Sequence, residues 1–112
     1  MTGYLQDRQL TLALTGEIDH HGAMQLVQEL QKRIELYLPL HCVLDFQDVT
    51  FMDSSGIAVI ISAVRQMRQL GGRVTIRGAQ DQPLRVMHAA GLSKIVEIEP
   101  KKREDQRHEA AK

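Results

Sequence analysis

The spacing of the apolar residues changes repeatedly along this chain, and this change restricts the fold more than any other feature of the sequence. Leu10, Leu12 and Leu14 recur at every second position, as in a strand with one buried face. Residues 23–38 then carry apolar side chains three and four positions apart, which is typical of a helix packed against a sheet. Strand-like and helix-like stretches go on alternating to residue 98. The sequence therefore predicts an α/β fold with parallel neighbouring strands, because crossovers of this length return the chain in the same direction.

Turn residues and glycines limit the predicted elements. Polar residues at 7–9 predict a hairpin, so the first two strands are expected to be antiparallel. Residues 15–19 are predicted to form a loop in which Asp19 caps the first helix, and Pro39 is expected to end that helix. The later elements are predicted to be a buried strand over 42–46, a connection over 47–53, a helix ended by Gly71-Gly72, a strand over 73–77, a short helix over 82–90 and a last extended stretch near 95–98.

The composition excludes several classes of protein. The chain has 112 residues, with 14 basic and 14 acidic side chains, so no excess positive charge indicates a nucleic-acid or anionic membrane partner. The longest apolar run, Ile57–Ile61, is too short to span a bilayer, and the amino terminus lacks the pattern of a secretion signal. The only cysteine, Cys42, is expected to be a buried core residue in a reducing compartment. We therefore expect one cytoplasmic domain over 1–99 and a polar tail over 100–112, to which no function is assigned.

Two adjacent serines, Ser54 and Ser55, lie where a buried strand is predicted to lead into a helix. A helix amino terminus has unpaired N–H groups and a partial positive charge, so a phosphate on either hydroxyl would be stabilised there. Serine is also a preferred N-cap residue, and one of the two is expected to fill that structural role. Gly56 is expected to reduce the local bulk and to keep a hydroxyl accessible. The segment is thus a candidate site of phosphorylation.

A serine at such a turn also raises the hypothesis of a small hydrolase. The nucleophile elbow requires glycine two residues before the serine, where this chain has Met52. A catalytic histidine would also be needed, and the sequence does not rank the candidates His20, His21, His41, His88 and His108. Hydrolysis is therefore kept only as a distant alternative.

Metal and nucleotide sites are weakly indicated. His20 and His21 are adjacent, whereas zinc-binding helices use histidines four residues apart. Asp45, Asp48 and Asp53 could bind a hard cation, although loop aspartates usually terminate strands and cap turns. The Gly71-Gly72 pair follows a helix, which is the reverse of the order in a phosphate-binding loop. No metal and no cofactor are expected.

Four segments together carry a resemblance to a known family. They are LTGEIDHH at 14–21, DVTFMDSSGI at 48–57, the glycine pair at 71–72 and AAGLSKIVEI at 89–98. At these spacings the chain resembles the anti-sigma factor antagonists, which are stand-alone STAS domains, and within them the sporulation branch. The resemblance implies a single STAS-type domain with a mixed β-sheet and helices packed on one side.

The resemblance also implies a protein-binding switch without catalytic activity. In this family the unphosphorylated antagonist binds an anti-sigma factor that is also a serine kinase, and thereby releases the sporulation sigma factor. The kinase then phosphorylates the serine that matches Ser54, and a PP2C-type phosphatase removes the phosphate. The matched positions imply a contact surface, which consists of Glu17, Asp19, Asp53, Ser55 and Gly56. A STAS antagonist in a general stress-response sigma pathway is the alternative within the fold.

Overall fold

A five-stranded mixed sheet organises the computed structural model, which describes residues 1–100. The strands lie in chain order; β1 and β2 are antiparallel, and every other neighbouring pair is parallel. The elements are β1 (Thr2–Gln6), β2 (Gln9–Ile18), α1 (His20–Tyr37), β3 (His41–Met52), α2 (Ser54–Gln69), β4 (Arg73–Arg77), α3 (Asp81–Ala89), a 3-10 turn (Leu92–Lys94) and β5 (Glu97–Glu99). The predicted α/β class is confirmed. The polar tail beyond Pro100 lies outside the described residues.

The hairpin between β1 and β2 has the turn that the sequence predicts. Asp7 and Arg8 connect the strands with φ angles of 54° and 65°. Two successive residues with positive φ match the right-handed twist of an antiparallel pair. Gln6 and Gln9 are paired directly beside the turn.

The core lies between the sheet and the helices. The crossovers through α1, α2 and α3 all advance in one direction across the sheet, and such crossovers are right-handed, so the helices share one face. The strands contribute Leu12 and Leu44, while the helices contribute Ile34, Ile60 and Met67, and all five are fully buried. The α1 helix ends at Tyr37, two residues before Pro39, as predicted.

Strands β2 and β3 are both longer than the sequence pattern suggests. The loop predicted over 15–19 and the connection predicted over 47–53 are wrong, because both stretches continue the parallel ladder as far as the pair Ile18 and Met52. Two register shifts interrupt the pairing and change the direction of successive side chains. The period of two is lost there, although Val49 still points into the core.

Cys42 lies in the core on β3, as predicted, and is completely buried. Burial raises the pKa of its thiol to about 12. The side chain therefore remains a protonated, unreactive core residue at neutral pH.

Candidate functional site

The carboxyl ends of β2 and β3 meet at one edge of the sheet. Their last residues, Ile18 and Met52, are in register, and each is followed by an aspartate and a helix. The two helix starts have the same pattern, in which an aspartate precedes the helix and a glycine is its third residue. The residues are Asp19-His20-His21-Gly22 at α1 and Asp53-Ser54-Ser55-Gly56 at α2. Two helix amino termini therefore lie beside each other at this edge.

Asp53, and neither of the serines, is the N-cap of α2. Its Oδ1 accepts a hydrogen bond from the Ser55 backbone N–H at 2.8 Å, and its carbonyl accepts one from the Gly56 N–H at 2.9 Å. The expectation of a serine cap is wrong, because the longer β3 brings Asp53 to the cap position in an extended conformation. Ser54 becomes the first helical residue and is exposed. No side-chain hydrogen bond among residues 1–100 involves its hydroxyl.

Asp19 caps α1, as predicted. Its Oδ1 accepts hydrogen bonds from the His21 N–H at 3.0 Å and the Gly22 N–H at 3.3 Å. The hydrogen bond from the Gly22 backbone is the largest cause of the lowered pKa of this carboxyl. Asp19 is therefore negatively charged at neutral pH, and more than a third of its side chain is exposed beside His21.

Glu17 lies on the same edge, one residue before the end of β2. It is exposed and pairs in register with Phe51 of β3, whose aromatic side chain is 40% exposed. Phe51 is not among the residues predicted for the site, because a connection over 47–53 would not place it beside Glu17. Phe51 is therefore an exposed large apolar residue at this edge whose position sequence reasoning missed.

Gly56, the third residue of α2, is buried, whereas Glu17 is exposed and Asp19 is partly exposed. A Cβ atom at this position would overlap the Met52 side chain and would lie 3.4 Å from Cγ2 of Ile18. The glycine thus lets α2 approach β3 closely. This packing role is one that the sequence analysis did not predict, and the expectation that Gly56 keeps a serine hydroxyl accessible stays a prediction.

Hydrolase chemistry finds no support in the described part of the chain. His41 lies at the opposite end of β3, and its Nε2 is 2.7 Å from Oγ1 of Thr75. Among the described residues, no histidine forms a hydrogen bond with Ser54 or Ser55. The candidate His108 lies outside them.

In the part of the chain that the structure describes, the two adjacent histidines at the start of α1 do not form part of a metal-binding cluster. The exposed rings of His20 and His21 have centroids 4.1 Å apart. Within residues 1–100, no three His, Cys, Asp or Glu side chains are arranged to hold a metal ion. None of the helices described is both long enough and apolar enough to cross a membrane.

Residues 2–97 match a family model described as Mlab, STAS domain. The chain belongs to the STAS domain family. This STAS domain is 32% identical over 89 residues to the anti-sigma F factor antagonist of Paenibacillus polymyxa, with 80% of this chain and 76% of the relative covered. It is 28% identical over 92 residues to the anti-sigma-B factor antagonist of Listeria monocytogenes, with 80% and 77% covered.

The STAS fold is also found in the solved structure of the anti-sigma factor antagonist SpoIIAA in its unphosphorylated form. The TM-score is 0.77 at 21% identity, and the superposition covers 98% of this chain and 94% of SpoIIAA. The predicted STAS-type fold is therefore confirmed. The curated relatives reported above are both anti-sigma factor antagonists, which agrees with the resemblance seen in the sequence.

Proposed function

We propose that this STAS domain is a cytoplasmic anti-sigma factor antagonist without catalytic activity of its own. Its unphosphorylated form binds an anti-sigma factor that is also a serine kinase, and this binding releases a sporulation sigma factor. Phosphorylation of Ser54 by that kinase ends the interaction. A PP2C-type phosphatase acting on phosphorylated Ser54 restores the binding form.

The division of roles between Asp53 and Ser54 carries this proposal. The Asp53 carboxylate already caps α2, so the Ser54 hydroxyl has no structural duty at the helix start. An exposed hydroxyl on the first residue of a helix is accessible to a kinase. A phosphate on it would also lie in the favourable field of the helix amino terminus. The modification can therefore change binding without unfolding the domain.

The proposed contact surface surrounds Ser54. Glu17 lies at the end of β2 and Asp19 directly follows that strand, while Asp53 and Ser55 flank Ser54 in the chain. Gly56, which is buried, contributes by setting how closely α2 packs on β3. The exposed Phe51 adds an apolar group to this acidic surface.

Charge explains why phosphorylation would end binding. A phosphoserine adds about 1.5 to 2 negative charges at neutral pH. Asp53 is adjacent, and Glu17 and Asp19 give the same edge further negative charge. An interface that fits a neutral hydroxyl among these carboxylates would then meet repulsion and a large desolvation cost.

The test combines phosphorylation with binding. The protein is incubated with its cognate kinase and ATP, and the phosphate is located by mass spectrometry in the wild type, in S54A and in the matched control S55A. We expect one phosphate on Ser54 in the wild type and S55A, and none in S54A. Calorimetry should show that S54A binds the kinase in the presence of ATP, whereas the phosphorylated wild type binds at least tenfold more weakly.

Two results would contradict the proposal. One is S54A that takes up phosphate as readily as the wild type, and the other is phosphorylated protein that binds the kinase undiminished. Ester hydrolysis by the purified protein without a kinase would instead support the distant alternative of a small serine hydrolase.

The second candidate is an antagonist in a general stress-response sigma pathway. The similarity to the anti-sigma-B factor antagonist of Listeria monocytogenes supports it, because the identity of 28% over 92 residues is close to the 32% over 89 residues found for the anti-sigma F relative. The same serine would be used with other partners. Binding is measured against each purified anti-sigma factor of the host organism. The anti-sigma factor that forms a complex with this protein identifies the pathway.

A further inference from the structure

Within residues 1–100, the end of β3 has a neighbouring strand on one side only. On the β2 side, pairing continues to Met52, but on the β4 side the last pair is Asp45 with Arg77. Among the strands that the structure describes, none pairs with the backbone of residues 46–52 on the side towards β4. Backbone N–H and C=O groups in such a position need hydrogen bonds from another source, because leaving them unpaired is costly.

The carboxamide of Gln82 supplies these hydrogen bonds at Met52. Oε1 of Gln82 accepts from the Met52 N–H at 2.9 Å, and Nε2 donates to the Met52 carbonyl at 2.8 Å. One side chain thus makes both of the bonds that a directly opposed residue of an antiparallel strand would make. Gln82 lies in the first turn of α3, 30 residues later in the chain, and is partly buried.

The segment before Gln82 brings it into place. Asp81 has a φ of 54°, a left-handed conformation that aspartate tolerates better than most residues. A second glutamine, Gln80, donates through Nε2 to the Gln47 carbonyl at 3.3 Å. That bond is longer and exposed, and it lies five residues before Met52, so it makes Gln80 a matched control for Gln82.

We propose that Gln82 is a positioning residue for Ser54 and that it connects α3 to the phosphorylation site. Met52 immediately precedes the Asp53 cap, and its buried side chain lies against Gly56. Fixing the Met52 backbone at both its N–H and its C=O fixes the peptide that leads into Asp53. The position of the Ser54 backbone, which carries the hydroxyl, follows from that peptide and from the cap. The inference rests on the proposed role of Ser54.

The first experiment examines the two hydrogen bonds in the isolated protein and needs no kinase. In Q82L the Met52 amide should exchange with solvent about fivefold to tenfold faster than in the wild type, whereas Q80A should leave it unchanged. In Q82E the carboxylate accepts from the Met52 N–H but cannot donate to the carbonyl. The Asp53 amide nitrogen shares a peptide plane with that carbonyl. Its NMR chemical shift in Q82E should therefore differ from the wild-type value at neutral pH.

Acidification provides a rescue that a general loss of stability would not show. A protonated carboxyl in Q82E regains a donor, so the Asp53 nitrogen signal should return towards its wild-type position at acidic pH. Q82L, which cannot regain a donor, gives the reference titration. Two results would contradict the proposed pair of hydrogen bonds between Gln82 and the Met52 backbone. One is an unchanged exchange rate of the Met52 amide in Q82L, and the other is an Asp53 nitrogen signal that changes with pH in the same way in Q82E and Q82L.

The second experiment measures phosphorylation. We expect kcat/KM for Ser54 to fall by about threefold or more in Q82L and Q82E, because small displacements of an acceptor reduce the rate of group transfer, while Q80A stays at the wild-type value. Variants with altered exchange but wild-type kcat/KM would refute the positioning role. Absence of any phosphate on wild-type Ser54 would refute the proposed function instead, and the exchange results would still stand.

Discussion

Replacing Gly56 by alanine tests the close packing of α2 on β3. Gly56 and Gly22 are each the third residue of a helix, and each helix is capped by an aspartate. At Gly22 a Cβ atom would have no neighbour within 4 Å, whereas at Gly56 it would overlap the side chain of Met52. The same substitution should therefore have opposite effects at two equivalent positions.

The expected magnitudes follow from two opposing terms. Alanine is favoured over glycine in a helix by up to about 1 kcal/mol, and G22A receives this gain with no steric cost. Overpacking of a filled core costs about 1–3 kcal/mol, and Met52 is fully buried, so it cannot move into solvent. The net effect expected for G56A is a loss on the order of 1 kcal/mol in the free energy of unfolding.

Urea unfolding followed by circular dichroism measures both variants against the wild type. For a domain of this size, 1 kcal/mol corresponds to a change of about 4 °C in Tm, so thermal unfolding should give the same order of stability. G22A should be the most stable of the three proteins and G56A the least stable. A G56A protein as stable as the wild type, or equal losses in both variants, would refute the packing argument.

Three further predictions concern the cap, the thiol and a histidine. In D53A the free energy of unfolding should fall by about 1 kcal/mol, because alanine cannot accept the hydrogen bond from the Ser55 N–H. In D53N, which retains a capping oxygen, the same urea assay should show a much smaller loss. Cys42, with its pKa raised to about 12, should present roughly a thousandfold less thiolate at pH 8 than in the unfolded chain, so alkylation should require unfolding. Burial, and secondly the charge of Arg73, lower the pKa of His41 below its ordinary 6.5, so the neutral ring is favoured in the folded state. The contribution of His41 to the free energy of unfolding should therefore be complete above pH 6.5 and be lost as the pH falls below that value. The decrease should be smaller in H41N.

Each of these predictions has an outcome that contradicts it. Equal losses in D53A and D53N would show that the charge of Asp53 matters more than its capping bond. Rapid alkylation of the folded protein would mean that Cys42 is reached without unfolding. An H41N variant with the same pH dependence as the wild type would assign that dependence to other groups.

Much of the fold could be predicted because it depends on local features. The apolar spacing of α1, the Asp19 cap and the polar turn before Gln9 act through residues within a few positions of each other. Their physical basis, namely side-chain periodicity and capping hydrogen bonds, is readable from sequence. The burial of Cys42 follows from the same kind of pattern, as does the position of the paired serines at a helix start.

The tertiary structure alone decided three features of this protein. They are the extent of β2 and β3, the capping of α2 by Asp53 and the contact between Gln82 and Met52. These features depend on backbone hydrogen bonds between distant segments, and the backbone donor and acceptor are the same for nearly every residue type. No side-chain pattern therefore shows where a ladder continues through a register shift. The sequence by itself determined that a serine pair would lie where a strand meets a helix. Only the assembled sheet determined which residue caps that helix and which hydroxyl is left exposed.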